Sequence, residues 1–599
     1  MPPPSRATWV ALLSLALLPA CTSWPKPDPQ VDAALLALRA TQVTPADPIP
    51  SELLELADEL FAAEDGRHFV GILHTGADAF TSRIHLIRAA RSSIEIQTFN
   101  WVSDQAGIFL AVELLAAARR GVTVRLLVDQ MTQQGKDELA RTLVLHENLQ
   151  IRLYNPLSAS GSLSTIGMIG KLSFEFDGLN ERMHNKVFLV DDAVAIVGGR
   201  NVEEKYFDLD PEFCYLDRDA LVVGPVVQEV ADSFDAYWVD PVVVRAEYLT
   251  GIGKDLLAWA EAGRAPTLEI PATPRCAWAA EPANAYAVES VMPHTKLHAV
   301  DRVEYLWDPP GKRHSDGDIA NIGDEVLLTE AIRAADTYIV AVSNYLVLTE
   351  SAMDGLADFH KDSPDVPFLY VTNSLAATGN IPCYAIARKQ RFRQLRNGLH
   401  IYEMRPVPVD IRTFCPRYDA LLEEAAEIAT EERGYEGRFA AIEVAGPQFA
   451  IHAKTIVVDG DVVLVGSHNF DPRSSRYNTE AGLLIWDEAL GAEVEDEIRL
   501  LLGDGNSWAV ALKRRIPVWT AVSSAFARLS RSLPIFDIWP YRHHTCFQLR
   551  EGGREVLMSD PTFFENYESV GQFPGVDSDW KAGKTRFFGS FAGFVRPLL

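Results

Sequence analysis

One stretch of the chain occurs twice with the same spacing, and this duplication constrains the fold more than any other feature. The segments His184 to Asn201 and His452 to Asn469 align without a gap, and histidine, lysine, aspartate, valine, glycine and asparagine positions coincide. Each copy reads H-x-K-x-x-x-x-D and then G-[GS]-x-N. Such a repeat predicts two related structural halves.

Hydrophobic patterns around the two copies predict the same order of elements in both halves. An alternating stretch at 92–102, a helical stretch and a β-rich segment in the first half have counterparts from 337 to 374 in the second. Strand–helix–strand units favour an α/β fold with mixed sheets, here two pseudo-symmetric α-β-α halves sharing one active site. The predicted organisation is as follows: tether 22–67, first half 68–245, linker 246–289, second half 290–500 and C-terminal extension 501–599.

The repeated motif has the composition of a phosphodiester-transfer site. Side chains alternate along a strand, so His184 and Lys186 should point the same way, as should His452 and Lys454. One imidazole can attack phosphorus while the other protonates the leaving oxygen, and two ammonium groups can neutralise the charge on the phosphoryl oxygens. No carboxylate cluster has metal-ligand spacing, so we expect neither a metal nor another cofactor.

Carboxylates are also expected at the site, because a catalytic imidazole needs a hydrogen bond that fixes its tautomer. Glu480 in "RYNTEAGLLI" and Asp219 in "YLDRDALVVG" follow the two motifs and are the predicted orienting residues. Asp191 and Asp459 complete the catalytic motifs. They lie an odd number of residues from the histidine and lysine, which predicts that they face away and act structurally at the strand end.

With its two motifs, the chain resembles the phospholipase D superfamily over about residues 68–500, and within it the peripheral branch of bacterial cardiolipin synthases. Supporting stretches are "RMHNK", "GGRNVEEKYF", "GSHNFDPRSSRYNTE" and "VTNSLAATGN". The resemblance implies a phosphohistidine intermediate, with His184 as the favoured nucleophile and His452 as the acid, although the sequence leaves this order open. It further implies a set of phosphate-binding residues: Lys186, Lys454, Asn201, Asn469 and, nearby, Ser467. Gly199 replaces that serine in the first half, so the two half-sites should differ.

The function that this resemblance implies is phosphatidyl transfer between phospholipids, giving cardiolipin from phosphatidylglycerol and a second phospholipid. The alternative is a phospholipase D that transfers the same group to water and releases phosphatidic acid. Both reactions use the same catalytic residues. A formal net charge of −27 argues against nucleic acid as a substrate, so the expected partners are phospholipids and a membrane surface. The oligomeric state stays open.

The N-terminus predicts export. Arg6 precedes an apolar run, Trp9 to Ala20, that is far shorter than the ~20 residues of a spanning helix, so a signal peptide at 1–21 is favoured. "LLPAC" resembles the lipobox of bacterial lipoproteins, which implies lipidation at Cys21; a plain secretory signal is the alternative. By resemblance to the sorting pattern of such lipoproteins, Thr22 rather than an aspartate after the cysteine implies the outer membrane as the destination. We expect a lipoprotein of the bacterial cell envelope that is anchored to a membrane and faces the periplasm.

Two further features carry weaker predictions. The five cysteines after Cys21 have no CxxC spacing, which indicates neither a zinc site nor a disulfide framework. The extension contains a basic and aromatic stretch from Lys513 to Arg542. This stretch is either a surface that lies on anionic lipid headgroups or an ordinary helix with solvated arginines.

Overall fold

A computed structural model describes the larger part of the chain. The described ranges are 25–39, 67–130, 138–156, 181–264, 274–280, 296–312, 323–433, 446–513 and 543–576. The predicted signal peptide, Cys21 and nearly all of the basic and aromatic stretch lie outside these ranges. Within them, every helix is too short or too polar to cross a bilayer.

Strands and helices alternate through most of the described chain. Strands of the first part are β1 (His68–Leu73), β2 (Ser93–Asn100), β3 (Thr123–Gln130), β4 (Leu149–Tyr154), β5 (Val187–Val190), β6 (Val194–Gly198), β7 (Phe213–Leu216), β8 (Asp219–Val223), β9 (Val243–Arg245) and β10 (His298–Val300). Strands of the second part are β11 (Arg302–Trp307), β12 (Ile339–Ser343), β13 (Phe368–Asn373), β14 (Leu399–Met404), β15 (Gln448–Ile451), β16 (Lys454–Val458), β17 (Val462–Gly466), β18 (Ala481–Trp486), β19 (Ser507–Leu512), β20 (His544–Leu549) and β21 (Tyr567–Gly571).

The helices are mostly two to four turns long. They are α1 (Pro29–Arg39), α2 (Gly76–Ala89), α3 (Gln105–Arg119), α4 (Glu138–Leu143), α5 (Val226–Trp238), α6 (Thr250–Glu261), α7 (Gly323–Arg333), α8 (Glu350–Asp362), α9 (Ile381–Arg396), α10 (Ile411–Phe414), α11 (Tyr418–Arg433), α12 (Pro472–Arg476), α13 (Glu488–Leu502) and α14 (Phe563–Asn566). Short 3-10 helices lie at Glu204–Tyr206, Ala246–Tyr248 and Pro274–Ala280.

The two sheets repeat one topology, which confirms the predicted pair of mixed α/β halves. The first sheet has the order β10-β1-β8-β6-β5-β2-β3-β4-β9, and the second has β11-β18-β17-β16-β12-β13-β14-β19-β20-β21. Without β10, β20 and β21, eight strands correspond in identical order. In each half, three strands are parallel, β2-β3-β4 and β12-β13-β14, and the strand pairs flanking them are antiparallel. Helical crossovers account for the parallel pairs.

The halves are joined through their backbones and through a shared core. Strands β7 and β15, one from each half, form a separate two-stranded parallel sheet. One buried cluster combines Val187 and Val197 of the first half with Val457 and Val463 of the second. Because these residues belong to the strands of the two motif segments, packing of the two sheets fixes the motifs relative to each other.

The outer parts differ from the boundaries that the sequence predicts. The predicted linker contains α6, which packs beside α1, and β10 lies beyond the linker yet pairs with β1 of the first sheet. At the other end, β19 pairs with β14, and β20 and β21 extend the second sheet. The second sheet thus continues well past residue 500 into the predicted extension.

Candidate active site

The two motif histidines lie just before strands β5 and β16, not within them as the sequence pattern predicts. The reason is a change of backbone partner. The His184 amide donates to the carbonyl of Thr479 at 2.9 Å, and the His452 amide donates to that of Leu216 at 2.7 Å. Each histidine is therefore held by backbone from the opposite half, and the sheet ladder resumes after it.

Glu480 orients His184, as predicted. The Glu480 carboxylate lies 2.7 Å from Nδ1 of His184, and both side chains are buried. Ser467 donates its hydroxyl to the same carboxylate oxygen at 2.5 Å, and the Glu480 amide donates to Asp308 at 2.9 Å. The carboxylate comes from the second half and the histidine from the first.

The corresponding residue at His452 is Asp217, and the prediction of Asp219 is wrong. Asp217 lies 2.6 Å from Nδ1 of His452 and is fully enclosed. Asp219 instead pairs with two buried guanidinium groups, those of Arg83 at 2.8 Å and Arg200 at 3.3 Å. It also accepts from the Gly199 amide at 3.1 Å. Asp219 thus has a structural role beneath the site.

Sheet register explains the error. Gly198 pairs with Asp219 in the first sheet, whereas Gly466 pairs with Gly482 in the second. The residue that corresponds to Glu480 therefore lies two positions before Asp219. A shift of two along a strand keeps the side chain on the same face, so the alternating pattern could not separate the two aspartates.

The motif aspartates Asp191 and Asp459 have the predicted structural role. The Asp191 carboxylate accepts from the amides of 91–93 at 2.8–3.2 Å, and Asp459 accepts from those of 336–338 at 2.8–3.0 Å. Both aspartates have positive φ, 53° and 51°. Each one ties the turn after its motif strand to the start of the neighbouring strand, away from the histidines.

Both motif lysines are buried beside the histidine of their own motif. Lys186 donates to the His184 carbonyl at 2.6 Å, and Lys454 lies 2.8 and 3.2 Å from the two ring nitrogens of His452. Burial, the largest influence, lowers the pKa of Lys186 to about 7 and that of Lys454 to about 8. The two ammonium groups therefore lose protons near neutrality, and an anion bound between them would restore their charge.

The imidazoles are neutral and face ionised carboxylates. Burial lowers the pKa of His184 to about 4 and that of His452 to about 3, against the opposing effect of Glu480 and Asp217. Burial alone would raise the pKa of each carboxyl, but the facing histidine and the lysines hold it well below its usual range. A neutral imidazole carries one N–H, which here faces the carboxylate from Nδ1, so the lone pair lies on Nε2.

The predicted phosphate ligands divide into two groups. Asn201 and Asn469 line the same cavity as both histidines, and each has a buried carbonyl oxygen without a hydrogen-bond partner. Ser467 instead lies behind His184 on Glu480. A Cβ on Gly199, its counterpart, would lie 2.2 Å from an oxygen of Asp217, so glycine is required there. The half-sites therefore differ, as predicted.

Both histidines open into one cavity of about 460 Å³. Phe99 contacts the His184 ring edge-on with centroids 5.3 Å apart, and Tyr206 lies in the same way against His452 at 5.0 Å. The Tyr206 hydroxyl is 3.4 Å from Nε2 of His452. Among the described residues no hydrogen bond reaches Nε2 of His184, so that nitrogen faces the cavity with an available lone pair.

Sequence reasoning missed several positioning residues besides Asp217. Asp129, at the end of β3, accepts from the Met183 amide at 2.8 Å and so fixes the segment that carries His184. Asn373, at the end of β13, exchanges two hydrogen bonds with the backbone of Ile451, at 2.7 and 2.8 Å. Both residues could have been found in the sequence, because each is a polar residue at the carboxyl end of a parallel strand.

One of the cysteines, Cys383, lines the catalytic cavity. All five cysteines in the described ranges are buried, and none of them forms a disulfide.

Comparison with known proteins places this site in a family. The family description "Cardiolipin synthase, PLD-like domain" matches residues 84–238 and 328–502. Cardiolipin synthase C of Escherichia coli (strain K12) is 31% identical over 451 residues, which cover 74% of this chain and 86% of that protein. Major cardiolipin synthase ClsA of Bacillus subtilis (strain 168) is 22% identical over 463 residues, 77% of this chain and 74% of that protein.

Among solved structures, a phosphatidylserine synthase from Haemophilus influenzae Rd KW20 matches 80% of this chain and 98% of its own, with 15% identity and a TM-score of 0.47. The family match spans both motifs and more than half of the chain. The chain therefore belongs to the phospholipase D-like family of cardiolipin synthases, and it is an enzyme of the phosphatidyltransferase type that acts on phospholipids.

Proposed function

We propose that the enzyme synthesises cardiolipin by moving a phosphatidyl group, through a phosphohistidine at His184, onto the glycerol hydroxyl of phosphatidylglycerol. The observation that carries the proposal is the pair of neutral imidazoles in one cavity, each held at Nδ1 by a buried carboxylate of the other half. The donor is a second phosphatidylglycerol or phosphatidylethanolamine.

In the first step, Nε2 of His184 attacks the donor phosphorus, the N–P bond forms and the bond to the headgroup oxygen breaks. His452 gives that oxygen its proton. Although burial keeps His452 neutral, an anionic phosphodiester favours the imidazolium by its charge, and Asp217 stabilises it. In the second step, the acceptor hydroxyl gives its proton back to His452, and its oxygen displaces His184 from phosphorus.

The assignment of roles is supported by the surroundings of the two Nε2 atoms. The Nε2 atom of His184 faces the cavity and has no hydrogen-bond donor among the described residues, which suits a nucleophile. That of His452 lies beside the Tyr206 hydroxyl and the Lys454 ammonium, which suits a group that exchanges protons. Lys186 and Lys454 would hold the phosphoryl oxygens, with Asn201 and Asn469 beside them.

The test uses purified protein without the signal segment and vesicles of phosphatidylglycerol, with and without phosphatidylethanolamine. Products are identified by mass spectrometry for the wild type, His184→Ala and His452→Ala, with His360→Ala as a control at a histidine outside the cavity. Cardiolipin that disappears only in the first two variants would support the proposal and identify the donor. Phosphatidic acid as the sole product would make the enzyme a phospholipase D.

The phosphohistidine needs a separate experiment. Donor labelled in its phosphate is mixed with enzyme and quenched in alkali, where phosphohistidine persists. The label should remain on the wild type, accumulate on His452→Ala with an activated donor, and be absent from His184→Ala. Label on His184→Ala that depends on His452 would reverse the assignment.

We also propose that the enzyme is an exported lipoprotein, anchored through Cys21 to the periplasmic side of the outer membrane. The support is the sequence "LLPAC" after a short apolar run, together with substrates that reside in membranes. Metabolic labelling with a fatty acid should mark the wild type but not Cys21→Ala. Fractionation of the envelope should find the wild type with the outer membrane. If the wild type takes up no fatty-acid label, the N-terminal segment is a plain secretory signal and the lipoprotein proposal is wrong.

A further inference from the structure

One charged side chain in the wall of the catalytic cavity has no role in the reaction as described above. Arg473 lies in the short helix α12 and lines the cavity that contains both histidines. Its guanidinium makes no hydrogen bond and no ion pair within the part of the chain that the structure describes, and its Nε is buried without a partner.

The carboxylates near Arg473 accept their hydrogen bonds from backbone amides. Asp471 accepts from the amides of Arg473 and Ser474 at 2.9 and 2.8 Å and thereby caps α12. Asp129 accepts from the Met183 amide and lies 3.4 Å from Arg182. Burial lowers the pKa of Arg473, and these two carboxylates oppose that effect only from a distance. A largely buried cation without a partner is costly, which points to an anionic ligand that completes it.

Asn478 supplies a complementary group in the same wall. It is 4% exposed, lines the cavity, and its side-chain carbonyl oxygen is buried without a hydrogen-bond partner. A guanidinium donates to anionic oxygens, and an amide oxygen accepts from a hydroxyl. A glycerol phosphodiester with a free hydroxyl offers both groups, whereas water and simple alcohols lack the anion.

We propose that Arg473 and Asn478 form a second phosphate subsite, which binds the phosphodiester and a hydroxyl of the acceptor glycerophospholipid. The two lysines and two histidines already serve the phosphorus that is transferred, so Arg473 is available for the phosphate that the acceptor carries. This inference rests on the proposed phosphatidyl transfer and names what selects the acceptor. It places the choice between lipid and water in this wall of the cavity.

The subsite acts in the second half-reaction, whose balance is unchanged. The acceptor oxygen forms its bond to phosphorus, the N–P bond at His184 breaks, and the hydroxyl proton passes to Nε2 of His452. Arg473 only fixes the acceptor by its phosphate, so that its primary hydroxyl lies in line with the N–P bond.

A matched pair of soluble acceptors tests the subsite. Glycerol and glycerophosphoglycerol, the deacylated form of phosphatidylglycerol, both present a primary hydroxyl, but only the second carries a phosphodiester. Donor vesicles are identical in all reactions, and products are separated by mass. The variants are Arg473→Gln, Arg473→Lys and the control Arg476→Gln, which changes an exposed arginine at the end of the same helix.

Arg473→Gln should lower kcat/KM for glycerophosphoglycerol by about tenfold or more, which is the size expected for one buried charge-assisted hydrogen bond. The kcat/KM for glycerol should stay unchanged. Arg473→Lys should fall between the two, because lysine keeps the charge without the planar fork. Arg476→Gln should change neither value.

Two results would overturn the inference in distinguishable ways. If Arg473→Gln lowers activity equally with both acceptors, Arg473 contributes to donor binding or to folding. The proposed subsite would then be wrong, whereas the proposed transferase activity would be unaffected. If the wild type transfers to neither acceptor and yields only phosphatidic acid, the proposed function fails, and the subsite fails with it.

Discussion

The most informative perturbation is Asp217→Asn, because it separates the roles of the two histidines. Asp217 lies 2.6 Å from Nδ1 of His452 and is fully enclosed, so an amide in its place can donate to Nδ1 and move the ring proton to Nε2. That tautomer cannot accept a proton from an alcohol. General acid–base catalysis contributes about 10²- to 10⁴-fold, so turnover of a natural phospholipid should fall by this factor.

The first turnover on an activated donor should behave differently. A phosphatidyl ester of p-nitrophenol releases p-nitrophenolate, which leaves without being protonated. Asp217→Asn should therefore keep most of the initial burst of p-nitrophenolate and then stall, because the acceptor is no longer deprotonated. Glu480→Gln should lower the burst itself, since Glu480 lies 2.7 Å from Nδ1 of His184, the proposed nucleophile.

The assay is rapid mixing with absorbance detection, with circular dichroism to show that both variants remain folded. The reasoning would be refuted if Asp217→Asn abolished the burst as completely as Glu480→Gln does. The opposite pattern, a burst kept in Glu480→Gln and lost in Asp217→Asn, would make His452 the nucleophile and His184 the acid.

Four further outcomes follow from the contacts around the site. Asp219→Asn leaves two buried guanidinium groups without their carboxylate and should lower the free energy of unfolding by about 3–5 kcal/mol in denaturant titrations, whereas Asp217→Asn should cost less stability and more activity. Asp459→Ala should remove bonds to three amides at a positive φ and lower stability by about 1–3 kcal/mol, while activity per folded molecule stays near that of the wild type. Because burial lowers the pKa of Lys186 to about 7 and that of Lys454 to about 8, kcat/KM should decline as pH rises through this range and the phosphate loses its ammonium partners. The free energy of unfolding should instead rise with pH between about 7 and 10, because the unfolded chain binds more protons at Lys186 in this range than the folded chain does. Lys186→Met should remove this part of the pH dependence of stability.

Most of the fold could be predicted from the sequence repeat. Two motifs with identical spacing, each preceded by a strand–helix–strand pattern, predict two mixed sheets, and eight strands do follow one order in both. The odd spacing of Asp191 and Asp459 from their histidines was enough to assign them to the turns that they stabilise. These inferences succeeded because local periodicity alone decides them.

The predictions that were wrong or missing depend on pairing between distant segments of the chain. Asp217 and Asp219 share one face of their segment, and only the register of β8 against β6 shows which of them reaches a histidine. The backbone bonds that lift His184 and His452 out of the strands come from the opposite half, more than 200 residues away. Arg473 lies within the stretch "GSHNFDPRSSRYNTE", but only the packed cavity shows that its guanidinium lacks a partner among the described residues.

The crossed pairing of histidine and carboxylate has a consequence for how such a site can work. His184 relies on Glu480 and His452 relies on Asp217, so neither half contains a complete catalytic pair. Loosening of the interface would free both imidazoles at once from their fixed tautomers. The two steps of the proposed transfer need one nucleophile and one proton carrier, and both would thereby depend on a single packing arrangement. Differences between the half-sites, Gly199 beside Asp217 and Ser467 beside Glu480, then allow two otherwise similar histidines to perform different steps.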